Sequence, residues 1–413
     1  MIYSIKNRDS NIKGVVHLPG SKSISNRLLI ISALSGNRLV PKALSESDDT
    51  NVMLEILHSN SSIHNVGHAG TAMRFLTAYF ACKPGEIILT GSERMKNRPI
   101  GVLVDLLREL GAHIEYTGTE GYPPLKINGG KLKGGRRVIN SEISSQYISA
   151  LLLIGSYLPG GIELVLKGNM VSASYINLTL QLMKRAGIRY SWTKNTIKIE
   201  EGNYQSGIYQ VEPDWSAASY WYEMVALSKN ADIFITGLSS DSLQGDSALV
   251  EIFEKLGVKT NYEENGVNLL KSQPTTSFFE YDFTLNPDLV QTLVPSCVLQ
   301  NIPFRFTGTQ TLRIKETDRI SALYTEMLKF GVILEYPSTG EWISWDGKTP
   351  FNPLNEVIID TYDDHRMAMC FAPICLATGE IKIRDPKVVS KSYPGFWEDM
   401  EKTGYSIEKL GNL

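Results

Sequence analysis

The sequence predicts an α/β protein of two domains, each holding three copies of one repeated unit. Three observations carry this expectation. A chain of 413 residues exceeds what one hydrophobic core usually serves. A helix end, a glycine and an alternating strand recur as "LLRELGAHIEY", "QLMKRAGIRYSW", "IFEKLGVKTNY", "EMLKFGVILEY" and, more weakly, "DMEKTGYSIEKL". Their glycines, Gly111, Gly187, Gly257, Gly331 and Gly404, follow one another at 70–76 residues.

Each glycine stands where a helix needs a left-handed residue after its last turn, and the period-two alternation beyond it suits a strand with one buried face. A sixth unit should end roughly 73 residues before Gly111 by the same spacing. The nearest candidate helix, "DDTNVMLEILHSN", has neither the glycine nor the hairpin, so the first unit reads as trimmed. The domain break falls between the units ending at Gly187 and Gly257, where "QVEPDWSAASYW" supplies Pro213 and a cap-like Asp214. The first strand precedes the Pro19-Gly20 turn and is free to join the C-terminal half. The expected domains are therefore 1–18 plus 213–413, and 19–212, with a hinge near 18–21 and 211–214. A ligand held between such domains would be shielded from water by hinge closure.

With 42% hydrophobic and 21% charged residues the composition is that of a soluble globular protein. A net charge of -3 and a pI near 6.1 argue against a general nucleic-acid binder. Cys82, Cys297, Cys370 and Cys375 show neither CxxC spacing nor the density of a disulfide scaffold, which suits a reducing compartment. No apolar leader or 18-residue apolar run is present, so a cytoplasmic protein is expected.

Local anion sites then need local cations. "HLPGSKSISNRLLIISAL" places Gly20, Lys22, Ser23, Ser25 and Arg27 ahead of an apolar run. It lacks the upstream glycine of a nucleotide P-loop but keeps a turn feeding a helix near Ser23. The competing reading is an ordinary serine cap with solvated cations. "GHAGTAMRFLTAYFA" sets Gly70 and Thr71 before a helix carrying Arg74. "GSERMKNRPIGVLVDLL" packs Arg94, Lys96 and Arg98 ahead of Pro99, expected as a first helical residue. "NSEISSQYISALLLIGSYL" offers Ser144, Ser145 and Gln146, and "NMVSASYINLTLQLM" offers Ser172 and Tyr175.

In the second half, "TLRIKETDRISALYTEML" carries Arg313, Lys315, Glu316, Asp318 and Arg319, with Thr317 expected to start the helix. A cation in that first turn opposes the helix dipole unless an anion answers it. "TYDDHRMAMCFAPICLA" puts His365 and Arg366 before an almost wholly apolar helix. Asp363-Asp364-His365 also has metal-binding residue types, but no second cluster has ligand spacing, and no metal is expected. Asp288, in "LNPDLVQTLVPSCVL", reads either as a helix cap or as a catalytic acid, and Glu316 either as charge balance or as a base.

Taken in order, "LPGSKSISNR", "AGTAMR", "RMKNRPIG", "SSQ", "KETDR", "DDHRMAMCFAP" and "DPKVVSKSYPGFW" closely resemble the 5-enolpyruvylshikimate-3-phosphate synthases, over residues 18 to 397. The resemblance implies an inverse α/β barrel of two domains, each of three βαβαββ units. It also implies transfer of the enolpyruvyl group of phosphoenolpyruvate to the 5-hydroxyl of shikimate 3-phosphate. Carried over by motif, Lys22, Gly70, Arg98, Gln146, Arg319, Arg366 and Lys391 would hold phosphoenolpyruvate. Lys22, Ser23, Arg27, Ser144, Ser145, Gln146, Ser172, Tyr175, Asp288 and Lys315 would hold shikimate 3-phosphate, and Lys22, Asp288, Glu316 and His365 would be catalytic.

No cofactor and a monomer are implied. His68 stands where the family usually has Asn, Phe75 where Pro is frequent, and Thr311 where Asn usually contacts substrate. The related UDP-N-acetylglucosamine enolpyruvyl transferases would carry Asn after the lysine and a Cys in the loop at 92–98. Here Ser23 follows Lys22 and the loop has no Cys. A silent binding module is the third alternative; intact Lys22, Asp288 and Glu316 speak against it.

Overall fold

A computed structural model of the protein describes residues 1–140, 144–168, 170, 172–353 and 356–411. The chain forms two compact units, Met1–Pro19 with Glu212–Leu413, and Gly20–Val211, and crosses between them twice.

Gly20–Val211 holds three sheets among its described residues. In one, Ile63–Asn65 runs parallel to Gly85–Thr90, and the helix Gly70–Ala81 connects them. A second helix, Gly101–Glu109, leads to His113–Tyr116 and Leu125–Gly129, a hairpin that closes antiparallel on Gly85–Thr90. The second sheet repeats this with Gly135–Asn140, Ile162–Lys167, Tyr190–Thr193 and Thr196–Ile199, its helices being Ser145–Gly155 and Ala173–Arg185. The third keeps only the parallel pair, Gly207–Gln210 with Leu39–Lys42. Its helices Lys22–Leu34 and Asp48–His58 are present, but the chain then runs straight into Ile63–Asn65. This is the trimmed unit.

The missing hairpin leaves one edge of Leu39–Lys42 open. Arg38 and Lys42 give their carbonyls to the N–H groups of Gly207 and Val211, so Leu39 and Pro41 face the open side. There Ser35 Oγ takes the Leu39 N–H at 3.1 Å and Ser32 Oγ donates to the Leu39 carbonyl at 2.6 Å, while Pro41 has no N–H to expose.

The other unit repeats the same order. Asn11–Val16 runs parallel to Asn230–Thr236, which pairs with the hairpin Val258–Glu263 and Gly266–Lys271. Phe279–Asp282 runs parallel to Phe304–Thr307, which pairs with Trp342–Trp345. Ile358–Ile359 runs parallel to Glu380–Arg384, and here the hairpin partners come from both chain ends: Ile2–Lys6 lies between Glu380–Arg384 and Ser406–Leu410.

All five spaced glycines have positive φ, 76–112°, the conformation that glycine alone adopts cheaply. The strand expected after Gly331 is reduced to a single bridge between Glu335 and Ser344. Val332 and Leu334 still bury one face, but Pro337 and the turn closed by Gly340 cut the alternation short.

The helices joining parallel strands are the apolar ones. Gly70–Ala81, Ser145–Gly155 and Lys22–Leu34 pack against one another in the first unit, and Trp215–Leu227, Val290–Leu299 and His365–Phe371 do so in the other. Sheets outside and helices inside give the inverted barrel. In each unit these inner helices start where the first strand of a parallel pair ends, the usual place for ligands in α/β architecture.

An acid is also buried on an inner helix. Glu223, on Trp215–Leu227, is fully buried and neither carboxyl oxygen finds a hydrogen-bond partner. Burial holds its pKa well above 4.5. The unfolded chain releases this proton near the ordinary value and the folded chain well above it. Stability is therefore highest below that value and falls by about 1.4 kcal/mol per pH unit as pH rises toward the folded value. Glu223→Gln should melt higher than the wild type at pH 8, with the gap closing toward pH 4.5. Melting curves across that range check this, and a pH-independent gap refutes it.

Candidate active site

The opening turn needs its glycine: a Cβ on Gly20 would sit 2.1 Å from the Ala43 carbonyl oxygen. That close approach docks residues 43–50 on the helix Lys22–Leu34. Ser25 Oγ accepts from the Ser45 N–H at 2.9 Å, and Thr50 Oγ1 donates to Asn26 Oδ1 at 2.9 Å. Asp49 is thereby brought to 3.3 Å from Lys22 Nζ. The helix begins at Lys22, and Ser21 at its cap makes no side-chain bond to the first turn. The leading N–H groups thus have no hydroxyl cap, a setting suited to an anion.

Arg27, one turn on, is only 3% exposed. Its Nε donates to Thr179 Oγ1 at 2.7 Å, Nη1 to the Ser23 carbonyl at 2.8 Å, and Nη2 to Ser149 Oγ at 3.4 Å and the Tyr175 carbonyl at 3.3 Å. The Phe75 and Tyr175 rings lie 5.4 and 5.9 Å from its guanidinium carbon. These partners are all neutral, and burial pulls its pKa down to about 10. Phe75 therefore acts as a ring support for Arg27.

Gly70 begins its helix, and a Cβ there would meet both terminal nitrogens of Arg98 at 2.7 Å. Arg98 is 8% exposed, and its Nε is buried without a partner. Gln146 Nε2 donates to Thr71 Oγ1 at 3.2 Å, placing Gln146 beside the same turn. The loop ahead differs from expectation. Glu93–Lys96 forms a short helix capped by Ser92, and the next helix starts at Gly101, so Pro99 is not its first residue. Met95 fills the interior, Arg94 is exposed, and Lys96 pairs with Glu93 at 2.7 Å, which leaves Arg98 as the inward-facing cation of the three. His68 Nδ1 lies 3.0 Å from Ser92 Oγ and ties the two turns together.

Ser144 caps its helix by accepting from the Gln146 N–H at 3.3 Å, and Ser145 is buried at its start. Ser172 stands before Ala173–Arg185 with φ 56° and is buried. Within this unit the structure gathers Ser23, Arg27 and Tyr175 in one group, Gly70, Arg98 and Gln146 in another, and Lys22 with Asp49.

The other unit is organised around Arg319, 2% exposed. Its Nε donates to Asp364 Oδ2 at 2.7 Å, Nη1 to Asp288 Oδ1 at 2.9 Å, and Nη2 to Glu316 Oε2 at 2.8 Å and Asp364 Oδ1 at 3.3 Å. Burial alone would lower its pKa, but Asp364, Glu316 and Asp288 outweigh that and raise it. Asp288 in turn receives Arg366 Nη2 at 3.1 Å and Lys315 Nζ at 3.5 Å.

Asp288 lies within the short turn Pro287–Leu289, and its carboxylate is gathered by three cations, which corrects the capping alternative. The helix after Glu316 starts at Arg319, not Thr317; Asp318 caps it by accepting from the Ser321 N–H at 3.2 Å. Asp364, read from sequence only as a metal candidate, is committed otherwise: it chelates Arg319 and accepts the Arg366 N–H at 2.9 Å. His365 Nδ1 is 3.7 Å from Asp364 Oδ1, and Lys391 Nζ donates to the Asp363 carbonyl at 2.6 Å.

Asp49, Tyr220 and Asp246 were not singled out by sequence. Tyr220 Oη accepts from Arg366 Nη1 at 3.3 Å. Asp246 accepts from the Ser216 hydroxyl. Burial pushes it up to about 6, with Asp288 adding to the rise and Ser216 opposing it. The repeat offered a signal: Asp246 opens the second helical segment of its unit, as Asp49, Arg98, Ser172 and Arg319 open or precede theirs.

Residues 6–62 and 58–400 match the family described as EPSP synthase (3-phosphoshikimate 1-carboxyvinyltransferase). The chain belongs to the EPSP synthase family. A 3-phosphoshikimate 1-carboxyvinyltransferase of Bacteroides fragilis is 52% identical over 400 residues, covering 97% of each chain. One from Pseudoalteromonas translucida is 36% identical, covering 94% of this chain and 96% of that one. Among solved structures, EPSP synthase from Acinetobacter baumannii shares the fold with a TM-score of 0.77 at 22% identity, covering 98% of this chain and all of that one. The enolpyruvyl transferase NikO from Streptomyces tendae shares it with a TM-score of 0.69 at 15% identity and 98% coverage of both.

For a member of this family, Gly70→Ala probes this pairing, because the three atoms nearest the new methyl all belong to the guanidinium of Arg98. We expect at least ~10-fold weaker binding of phosphoenolpyruvate, about 1.4 kcal/mol, with the melting temperature little changed. Titration calorimetry beside a thermal melt reads both; unaltered affinity sinks the pairing of Gly70 with Arg98.

Proposed function

We propose that the protein transfers the enolpyruvyl group of phosphoenolpyruvate to the 5-hydroxyl of shikimate 3-phosphate and releases inorganic phosphate, in the shikimate route to aromatic amino acids. The observation that supports this best is the convergence of Arg319, Arg366 and Lys315 on Asp288, with Glu316 bonded to the same Arg319. A carboxylate among cations favours its ionised form and serves as a proton acceptor. Asp288 and Glu316 remain partly open, at 14% and 21% side-chain exposure, whereas Asp364 is sealed at 0%. The open pair suits proton traffic, and the sealed one holds the arginines.

In this reading phosphoenolpyruvate is taken by Lys22, Gly70, Arg98, Gln146, Arg319, Arg366 and Lys391. Shikimate 3-phosphate is taken by Lys22, Ser23, Arg27, Ser144, Ser145, Gln146, Ser172, Tyr175, Asp288 and Lys315. A guanidinium matches a carboxylate, and the point charges of Lys22 and Lys391 suit phosphate. The fork of Arg319 is already taken by Asp364, so Arg319 acts on the substrate as a charge. Two such anions ~5 Å apart repel by about 3 kcal/mol per charge pair at an effective dielectric of 20, so positive groups must gather before the substrates do.

The reaction is an addition followed by an elimination. A proton passes to the methylene carbon of phosphoenolpyruvate, the 5-hydroxyl attacks C2 and gives its proton to Asp288, and a tetrahedral ketal phosphate forms. Loss of a methyl proton and of phosphate restores the double bond. Glu316 and Lys22 handle the carbon-bound proton, and His365 supports the same step through Asp364. The chain acts as a cytoplasmic monomer and needs neither metal nor organic cofactor. Among the described residues no helix is long and apolar enough to cross a membrane.

The test is phosphate release from phosphoenolpyruvate with either shikimate 3-phosphate or UDP-N-acetylglucosamine as acceptor. Release with the first alone is expected; release only with the second points to the related transferase, and none with either to a silent binder. Asp288→Ala and Glu316→Ala should each lower kcat by at least ~100-fold while circular dichroism stays native. Turnover near the wild-type value in both refutes their roles.

A further inference from the structure

Tyr362 and Asp363 are consecutive left-handed residues, at φ 53° and 55°, directly ahead of Asp364, His365 and Arg366. Neither is glycine, so both peptides are strained and persist only where their surroundings over-determine them. The surroundings are supplied by the helix Arg319–Leu328, which grips this loop at both ends.

At the far end, Glu326 is fully buried. Its Oε1 accepts from Tyr362 Oη at 2.7 Å, and its Oε2 accepts from the Asp360 N–H at 3.1 Å and from Lys329 Nζ at 2.7 Å. Lys329 also donates to the Ile358 carbonyl at 2.8 Å and to Asp360 Oδ2 at 3.0 Å, tying the preceding strand to the same point. At the near end, Arg319 is chelated by Asp364. Between the two grips, the Asp363 carbonyl receives Lys391 Nζ at 2.6 Å. Burial, the bond to Glu326 and its charge raise the pKa of the Tyr362 phenol, so it stays protonated and able to donate.

We propose that Glu326 and Tyr362 are positioning residues for phosphoenolpyruvate, holding two strained peptides so that the Asp363 carbonyl fixes Lys391 while Asp364 orients Arg319 and Arg366. The proposal rests on the functional reading above, which assigns those three cations to phosphoenolpyruvate. Tyr362 is 38% exposed, so removing its hydroxyl spares the core. Glu326 acts only through Tyr362, Asp360 and Lys329, and touches no substrate.

The experiment compares the full-length wild type with Tyr362→Phe in steady-state kinetics against both substrates. The KM for phosphoenolpyruvate should rise at least fivefold, while the KM for shikimate 3-phosphate and kcat stay within about twofold. An unchanged KM for phosphoenolpyruvate, or an equal rise in both KM values, overturns the proposal. Hydrogen exchange separates this from failure of the functional reading. In Tyr362→Phe the Asp364 and Arg366 amides should exchange at least tenfold faster while Val290–Leu299 is unaltered, whether or not the wild type shows turnover. Unchanged exchange at both amides also overturns it.

Discussion

The structure of the half built from both chain ends depends on keeping one guanidinium charged and buried. Arg319 gives up its hydration almost entirely, and three carboxylates replace it. Arg366 and Lys315 join through Asp288, so three cations and three acids share one network. Removing one partner of such a set typically costs about 3–5 kcal/mol, because the remaining charge is stranded. The partners are not equivalent. Asp364 accepts from Arg319 twice and from a backbone N–H, and it is sealed from solvent. Asp288 and Glu316 keep an open side, so they are the acids of the network available for chemistry.

The other half solves the opposite problem. Arg27 is buried among hydroxyls, carbonyls and two aromatic rings, and among the described residues no carboxylate pairs with it. Cation–π contacts of this kind contribute roughly 0.5–2 kcal/mol and hold the guanidinium in place without neutralising it. Arg98 likewise packs against Gly70 with its Nε unpartnered. The cations of one unit are thus tied into a network of acids, whereas in the other Arg27 is held by neutral groups and Lys22 meets a single carboxylate, Asp49.

Much of the frame was legible because it is local. A glycine after a helix reports its own φ, and the even spacing of five of them gave the unit count and the trimmed first unit. Helix starts with a serine or aspartate were legible to within a residue or two. What sequence misjudged was decided at a distance. Asp288 resembles a cap until Arg319 and Arg366, 31 and 78 residues away, close on it. Arg94, Lys96 and Arg98 read alike in a row, yet Met95 claims the interior and turns two of the three outward. Asp246 has no distinctive neighbours in sequence; burial beside Asp288 sets it apart. The strand after Gly331 failed for a different reason, since alternation of two buried residues is too short a signal against Pro337. Thr311 sits in the turn Gln310–Ile314 with its hydroxyl buried and unpartnered, and nothing in the structure explains that choice.

The trimmed unit shows which parts of the repeat carry the chemistry. It has lost the hairpin, the part that in the sister sheets only widens the outer layer. A lone parallel pair would ordinarily expose an edge, and a row of free N–H and C=O groups invites pairing with another chain. Here Ser32, Ser35 and Pro41 close that edge from within. The strand pair therefore needs no further partner, and it survives because it lies on an inner helix that cannot be dispensed with. That helix carries Lys22, Ser23 and Arg27, and the next brings Asp49 to Lys22. The hairpin could be lost because the side chains proposed for the site stand in helical segments and the turns ahead of them, and none of them stands on an outer strand.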